Sequence, residues 1–234
     1  MKQGISRLVF PDDGGRLWTW WRVAGLLLMA VVLVAVVATS GCARGGQPTG
    51  QTGTQAIPPQ QEPPSQPRQL TAEQLEDVKK KYAKATVVVQ TNKGNFRFEL
   101  FPSDAPVTVY SFAELAGKGF YDKLKFHRYE PGFVIQGGDP LSIDQDPGND
   151  GTGGPGYNLP AEFNSHRHVL GTVAMARSAD PNSGGSQFYI TLAPQPALDG
   201  QYTVFGQVTS GLDVVQKLRR GDEIKRVRIT GVAE

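Results

Sequence analysis

Apolar residues fall in two places along the chain, an unbroken run over 23–38 and a dispersed, periodic pattern after residue 85, with a polar stretch between them. In the dispersed part, residues 86–90 are rich in β-branched side chains and 92–95 form a turn cluster around Gly94. Phe96, Phe98 and Leu100 then alternate with Asn95, Arg97 and Glu99, so this stretch predicts a β-hairpin. Next, Pro106 suits the first turn of a helix. Val109, Phe112, Ala113 and Ala116 follow at helical spacing, with Gly117 and Gly119 to close it. Short apolar runs separated by Gly, Pro and Asn clusters come after, then a second short helix near 212–218 and a last strand over 224–232. Two helices and about eight short strands predict an all-β domain over residues 85–234, a closed antiparallel eight-stranded β-barrel capped by the two α-helices.

Upstream, residues 71–84 carry a capping signature, Thr71 with Gln74, and place Leu75, Val78 and Tyr82 on one face, which predicts a short helix leading into the domain. Residues 43–70 are mostly Gly, Gln, Pro, Ser and Thr, with Ile57 the one large aliphatic residue before Leu70. Such a segment buries too little to offset its ordering entropy and reads as a disordered linker, stiffer in its Pro-rich second half. Residues 1–42 combine Arg16 and Arg22, the apolar run, and the small residues Thr39, Ser40 and Gly41 before Cys42, which is a secretory signal pattern. Small residues before a cysteine also resemble the lipobox of bacterial lipoproteins, whose cysteine is lipidated and becomes the mature N-terminus. Thr39 departs from the leucine usual there. The alternative is an uncleaved transmembrane helix, because the 21 residues 23–43 are uncharged and long enough to span a bilayer, with tryptophans 18, 20 and 21 at the interface. Either way the domain is expected to be extracytoplasmic and anchored to the cell membrane.

Charge narrows the function classes. Four basic and two acidic residues lie within 1–42, so the whole net charge of +2 belongs to that segment and the remainder balances at zero. A neutral domain without a basic stripe does not point to nucleic acid. Cys42 is the only cysteine, so no intrachain disulfide forms. Gly151, Gly153 and Gly156 fit a dinucleotide-binding spacing, but Pro155 interrupts it and no helix follows. His166 and His168 lack further ligands for a metal, and no frame through Asp144, Asp146 and Asp150 gives both the central glycine and the closing glutamate of a calcium loop. Ser186 lacks a nucleophile-elbow context.

Five segments carry the strongest signal: FHRYEPGFVIQGGDP (126–140), GTGGPGY (151–157), GTVAMAR (171–177), GGSQFYIT (184–191) and LDGQYTVFGQV (198–208). In order and spacing they resemble the signature segments of cyclophilins, a likeness that covers roughly residues 85–231. The resemblance implies a peptidyl-prolyl cis/trans isomerase that needs no cofactor and no metal. Its partners would be proline-containing polypeptides, here exported clients whose folding it assists, and its domain would be monomeric. It further implies Arg128 as the catalytic donor and Phe133, Val134, Tyr189 and Leu198 around the proline ring. Gln136 and Gln187 would bond substrate backbone or position Arg128, with Ala176, Arg177 and Tyr202 along the groove and His127 beside it. Three positions depart from the common pattern. Tyr189 stands where phenylalanine is usual, so its hydroxyl needs a partner. Ala197 replaces a tryptophan associated with tight cyclosporin binding, and Arg177 replaces an asparagine. The alternative from another class is a non-catalytic module or chaperone that holds proline segments on the same fold. A solute-binding or adhesive lipoprotein would show a larger α/β core or repeats.

Overall fold

The computed structural model describes residues 67–233; the signal or anchor segment, Cys42 and the linker as far as residue 66 lie outside the described residues. The chain runs α1 (Ala72–Tyr82), β1 (Thr86–Thr91), β2 (Gly94–Leu100), α2 (Pro106–Gly117), β3 (Arg128–Glu130) and β4 (Val134–Gly137). It continues with β5 (Thr172–Met175), β6 (Phe188–Thr191), β7 (Val204–Ser210), α3 (Leu212–Lys217) and β8 (Ile224–Thr230). The expected hairpin forms, with Val87 opposite Phe98 and Thr91 opposite Gly94. At α1, the Thr71 side chain accepts from the Gln74 N–H while the Gln74 side chain accepts from the Thr71 N–H, the reciprocal cap read from sequence.

The eight strands form one antiparallel sheet in the order β3-β4-β6-β5-β7-β2-β1-β8. The sheet is curled but open, which corrects the expected closed barrel. Its edge strands are not paired with each other; an isolated bridge between Lys125 and Glu223 joins the two edges at one end only. The reason lies in what covers the edges. β3 is three residues long, too short to match β8. The start of β8 instead bonds to the turn before β3, through Lys123 N–H to the Ile224 carbonyl and Ile224 N–H to the Leu124 carbonyl. Farther along, the Asp122 carboxylate takes the Val227 N–H. An edge blunted by side chain and turn does not need strand closure.

Period-2 alternation sends the two faces of the sheet to different places. One face meets α2, where fully buried Phe112 touches Phe98, Phe205 and Phe188 at centroid distances of 5.7, 5.4 and 5.8 Å. Ile135, Val173 and Ile190 complete this main core. The opposite face of the same strands carries Val134, Ala174, Tyr189 and Val204, a second, smaller cluster. α2 has no side-chain cap of its own. Glu162 serves instead, its two oxygens accepting the Val107 and Thr108 N–H groups at 2.9 and 2.8 Å. Burial pushes this carboxyl up, against those two hydrogen bonds.

The end of the expected linker departs from the reading of 43–70 as one disordered piece. Leu70 packs against the main core and the Arg68 N–H donates to the Asn158 carbonyl at 2.8 Å.

Candidate active site

Strand register assembles the site. Arg128 lies opposite Gln136, Gln136 opposite Tyr189, and Tyr189 opposite Ala174, one row across β3, β4, β6 and β5. Directly opposed residues in such ladders bring their side chains together on one face. Two residues along each strand, Val134, Gln187 and Ala176 point the same way. The result is a cavity of about 350 Å³ lined by Arg128, Phe133, Val134, Tyr189, Leu198 and Tyr202, with His127, Gln136, Ala176 and Arg177 also reaching it. Gln187 lies in an adjoining groove of about 490 Å³, which shares Gln136, Ala176 and Arg177 and is walled by residues 151–158. Every site residue expected from sequence, Cys42 apart, therefore falls in this cavity and groove.

The polar side of the cavity is a directed chain. The Gln187 amide donates to the Gly153 carbonyl at 2.8 Å, Gln136 donates to Gln187 at 3.0 Å, and Arg128 Nη1 approaches Gln136 Oε1 at 3.4 Å. Because each amide spends its N–H₂ in one direction, Gln136 turns its oxygen to Arg128. The guanidinium sits over the Phe133 ring at 5.8 Å, half exposed, with Glu130 at 3.7 Å on its outer side. The chain begins at Gly153, and that loop is pinned by Asp139, fully buried, whose carboxylate accepts the Leu141 and Gly151 N–H groups. A Cβ on Gly153 would run into the Asp139 carboxylate, so only glycine fits there.

Beneath the cavity, the Tyr189 hydroxyl finds its partner. It lies 2.9 Å from Nε2 of His168, whose Nδ1 is 3.0 Å from Asp199. A carboxylate only accepts, so Nδ1 carries the proton and Nε2 accepts the tyrosine hydroxyl. His168 also donates its backbone N–H to Asp199 at 2.7 Å, and these bonds hold the Asp199 carboxyl below the usual carboxylate range. Burial pushes the Tyr189 phenol well up, so it stays a neutral donor. Asp199 follows Leu198, so the His168 ring ties two walls of the cavity together. His166 goes elsewhere, stacked on Phe101 at 4.1 Å and paired with Asp104.

Two expected groove residues are used differently from a free binding group. The Arg177 guanidinium donates to the Gln201 and Ser178 carbonyls and lies over Tyr202 at 4.7 Å, so it braces the rim. His127 is buried, and among the described residues neither ring nitrogen has a hydrogen-bond partner. Burial lowers its pKa, against the opposing pull of Asp139 and Asp150. Asp139, His168 and Asp199 were not picked out as site residues from sequence. Their roles come from partners 12 to 31 positions away, which no local pattern reports.

A cavity with an apolar floor of Phe133, Val134, Tyr189 and Leu198 and an arginine held at its lip, built from five chain segments in a set order, meets its match in comparison with known proteins. Residues 86–234 match the family described as cyclophilin type peptidyl-prolyl cis-trans isomerase/CLD. The chain belongs to the cyclophilin-type peptidyl-prolyl cis-trans isomerases. A peptidyl-prolyl cis-trans isomerase of Synechococcus elongatus is 49% identical over 144 residues, 61% of this chain and 94% of that protein. Peptidyl-prolyl cis-trans isomerase B of Bacillus subtilis is 50% identical over 136 residues, 57% of this chain and 90% of that one. Among solved structures, a Cryptosporidium parvum cyclophilin crystallised in the presence of the dipeptide Ala-Pro superposes with a TM-score of 0.56 at 31% identity, over 62% of this chain and 99% of that one. This cyclophilin's residues 67–85 precede the part that matches the family.

Proposed function

We propose that this cyclophilin turns Xaa-Pro bonds of exported polypeptides, with the proline ring in the 350 Å³ cavity and Arg128 as the donor to the twisting bond. Rotation must break amide resonance, a barrier of about 18–20 kcal/mol, yet no bond is made. As the bond twists, the proline nitrogen regains a lone pair. A donor aimed at that nitrogen therefore stabilises the transition state and not the planar ground state. A guanidinium suits the task because it is always charged and its fork is rigid. The observation that carries this reading is the Gly153–Gln187–Gln136 chain, which orients Arg128 at the lip of the cavity beside its apolar floor. The Ala-Pro dipeptide named with the Cryptosporidium relative supports a proline-containing substrate. The flanking chain of the substrate would run along the adjoining groove. Exchange spectroscopy on Xaa-Pro peptides tests it: acceleration is expected. Binding of the same peptides without acceleration would make the domain a holding module.

Export rests on the N-terminal sequence: the basic flank, the apolar run over 23–38 and the small residues before Cys42. In this reading the linker holds the isomerase off the membrane surface, where folding after export is limited by proline isomerisation. Mass spectrometry of the mature N-terminus distinguishes the two anchors, diacylglyceryl-Cys42 or an uncleaved helix. A full-length chain recovered in the cytoplasmic fraction, unmodified, would refute both.

A further inference from the structure

Arg68 lies upstream of the residues that match the family, in a stretch whose composition reads as spacer. Its surroundings are not those of a spacer. The guanidinium sits between two rings, 4.8 Å from the Tyr110 centroid and 5.0 Å from that of Tyr157, and pairs with Glu114 at 2.6 Å. Only about a quarter of the side chain is exposed. Tyr110 and Glu114 belong to α2, whereas Tyr157 and Asn158 form part of the groove wall next to the proline cavity. The backbone adds a second tie, Arg68 N–H to the Asn158 carbonyl, and the Tyr157 hydroxyl is 2.8 Å from Ser111 on the same helix.

From this we infer that Arg68 is a positioning residue for the substrate groove: it clamps the Tyr157–Asn158 wall onto α2, so the segment leading into the domain completes the site. A cation between two aromatic faces, partly withdrawn from water, holds both rings, and the Glu114 pair keeps the guanidinium from swinging out. Lysine at this position would keep the charge but lose the planar fork that stacks and pairs at once. The clamp touches the groove and not the proline cavity, so it acts on chain flanking the proline and leaves the twisting bond to Arg128.

This inference rests on the proposed substrate placement, and two measurements on the full chain separate the two. The first compares turnover of a short Ala-Pro peptide with that of one extended by three residues on each side. In Arg68→Ala the KM for the extended peptide is expected to rise by about three- to tenfold, with kcat unchanged and the short peptide unaffected. Arg68→Lys should recover only part of that rise. Equal shifts for both peptides, or none, would overturn the clamp. The second measurement needs no substrate: the Leu159 amide, next to Asn158, donates to the Gly184 carbonyl at 2.7 Å, and hydrogen exchange there should quicken in Arg68→Ala while β5 and β6 stay protected. Unchanged exchange at Leu159, or a uniform increase across the sheet, would contradict the inference. A wild-type chain that turned over neither peptide would count against the substrate reading alone, with the clamp still decided by exchange.

Discussion

At the scale of single residues, two of the three departures from the common cyclophilin pattern, Tyr189 and Arg177, find physical accounts in their neighbours. Tyr189 keeps its ring on the cavity that Arg128 borders and spends its hydroxyl below it, on His168. Tyr189→Phe would leave the buried Nε2 of His168 without a partner, at a cost of about 1–3 kcal/mol of stability in urea unfolding. The KM for prolyl peptides should barely move, since the apolar ring remains. His127 gives a pH dependence with a definite sign. Its folded pKa lies below the ordinary value of 6.5, so the unfolded chain binds the extra proton first as pH falls. Stability is full above the ordinary value and declines as pH drops below it. Melting temperatures recorded between about pH 7.5 and 5.5 should therefore fall for the wild type and flatten in His127→Gln. The low carboxyl of Asp199 acts in a separate window, its contribution being lost only as pH falls through the acid range.

At the scale of elements, legibility followed period. The hairpin of β1 and β2 showed a clean alternation because one face is buried and the other wet. β5 and β6 are buried on both faces, main core on one side and the second, smaller cluster on the other, so Thr172–Met175 and Phe188–Thr191 read as plain apolar runs. Which of their residues face the cavity is decided by register, and only family resemblance pointed to Tyr189 and Gln187 in advance. The α2 helix was visible from its spacing, but its cap was not, because Glu162 arrives from 55 positions away. Glu162→Ala should destabilise the domain by about 1–2 kcal/mol in equilibrium unfolding, the usual worth of a helix cap. An unchanged midpoint would show that water replaces it without loss.

At the scale of the whole molecule, the sequence pattern foretold the strand count but wrongly implied closure. Strand number follows from apolar runs and turns, whereas closure depends on whether two distant edges match in length, and β3 and β8 do not. The spacer ended earlier than composition implied, because hydropathy does not register a stacked arginine such as Arg68. What the fold delivers as a unit is a row of opposed residues from Arg128 to Ala174 that sets a charge at the lip of a cavity with an apolar floor. The most direct test of that account is Arg128→Ala, measured by exchange spectroscopy on an Xaa-Pro peptide together with the dissociation constant of the same peptide. Loss of one preorganised donor should lower kcat/KM by about 10²- to 10³-fold while binding changes by less than about threefold. Turnover that persists, or a loss matched by an equal loss of binding, would contradict it.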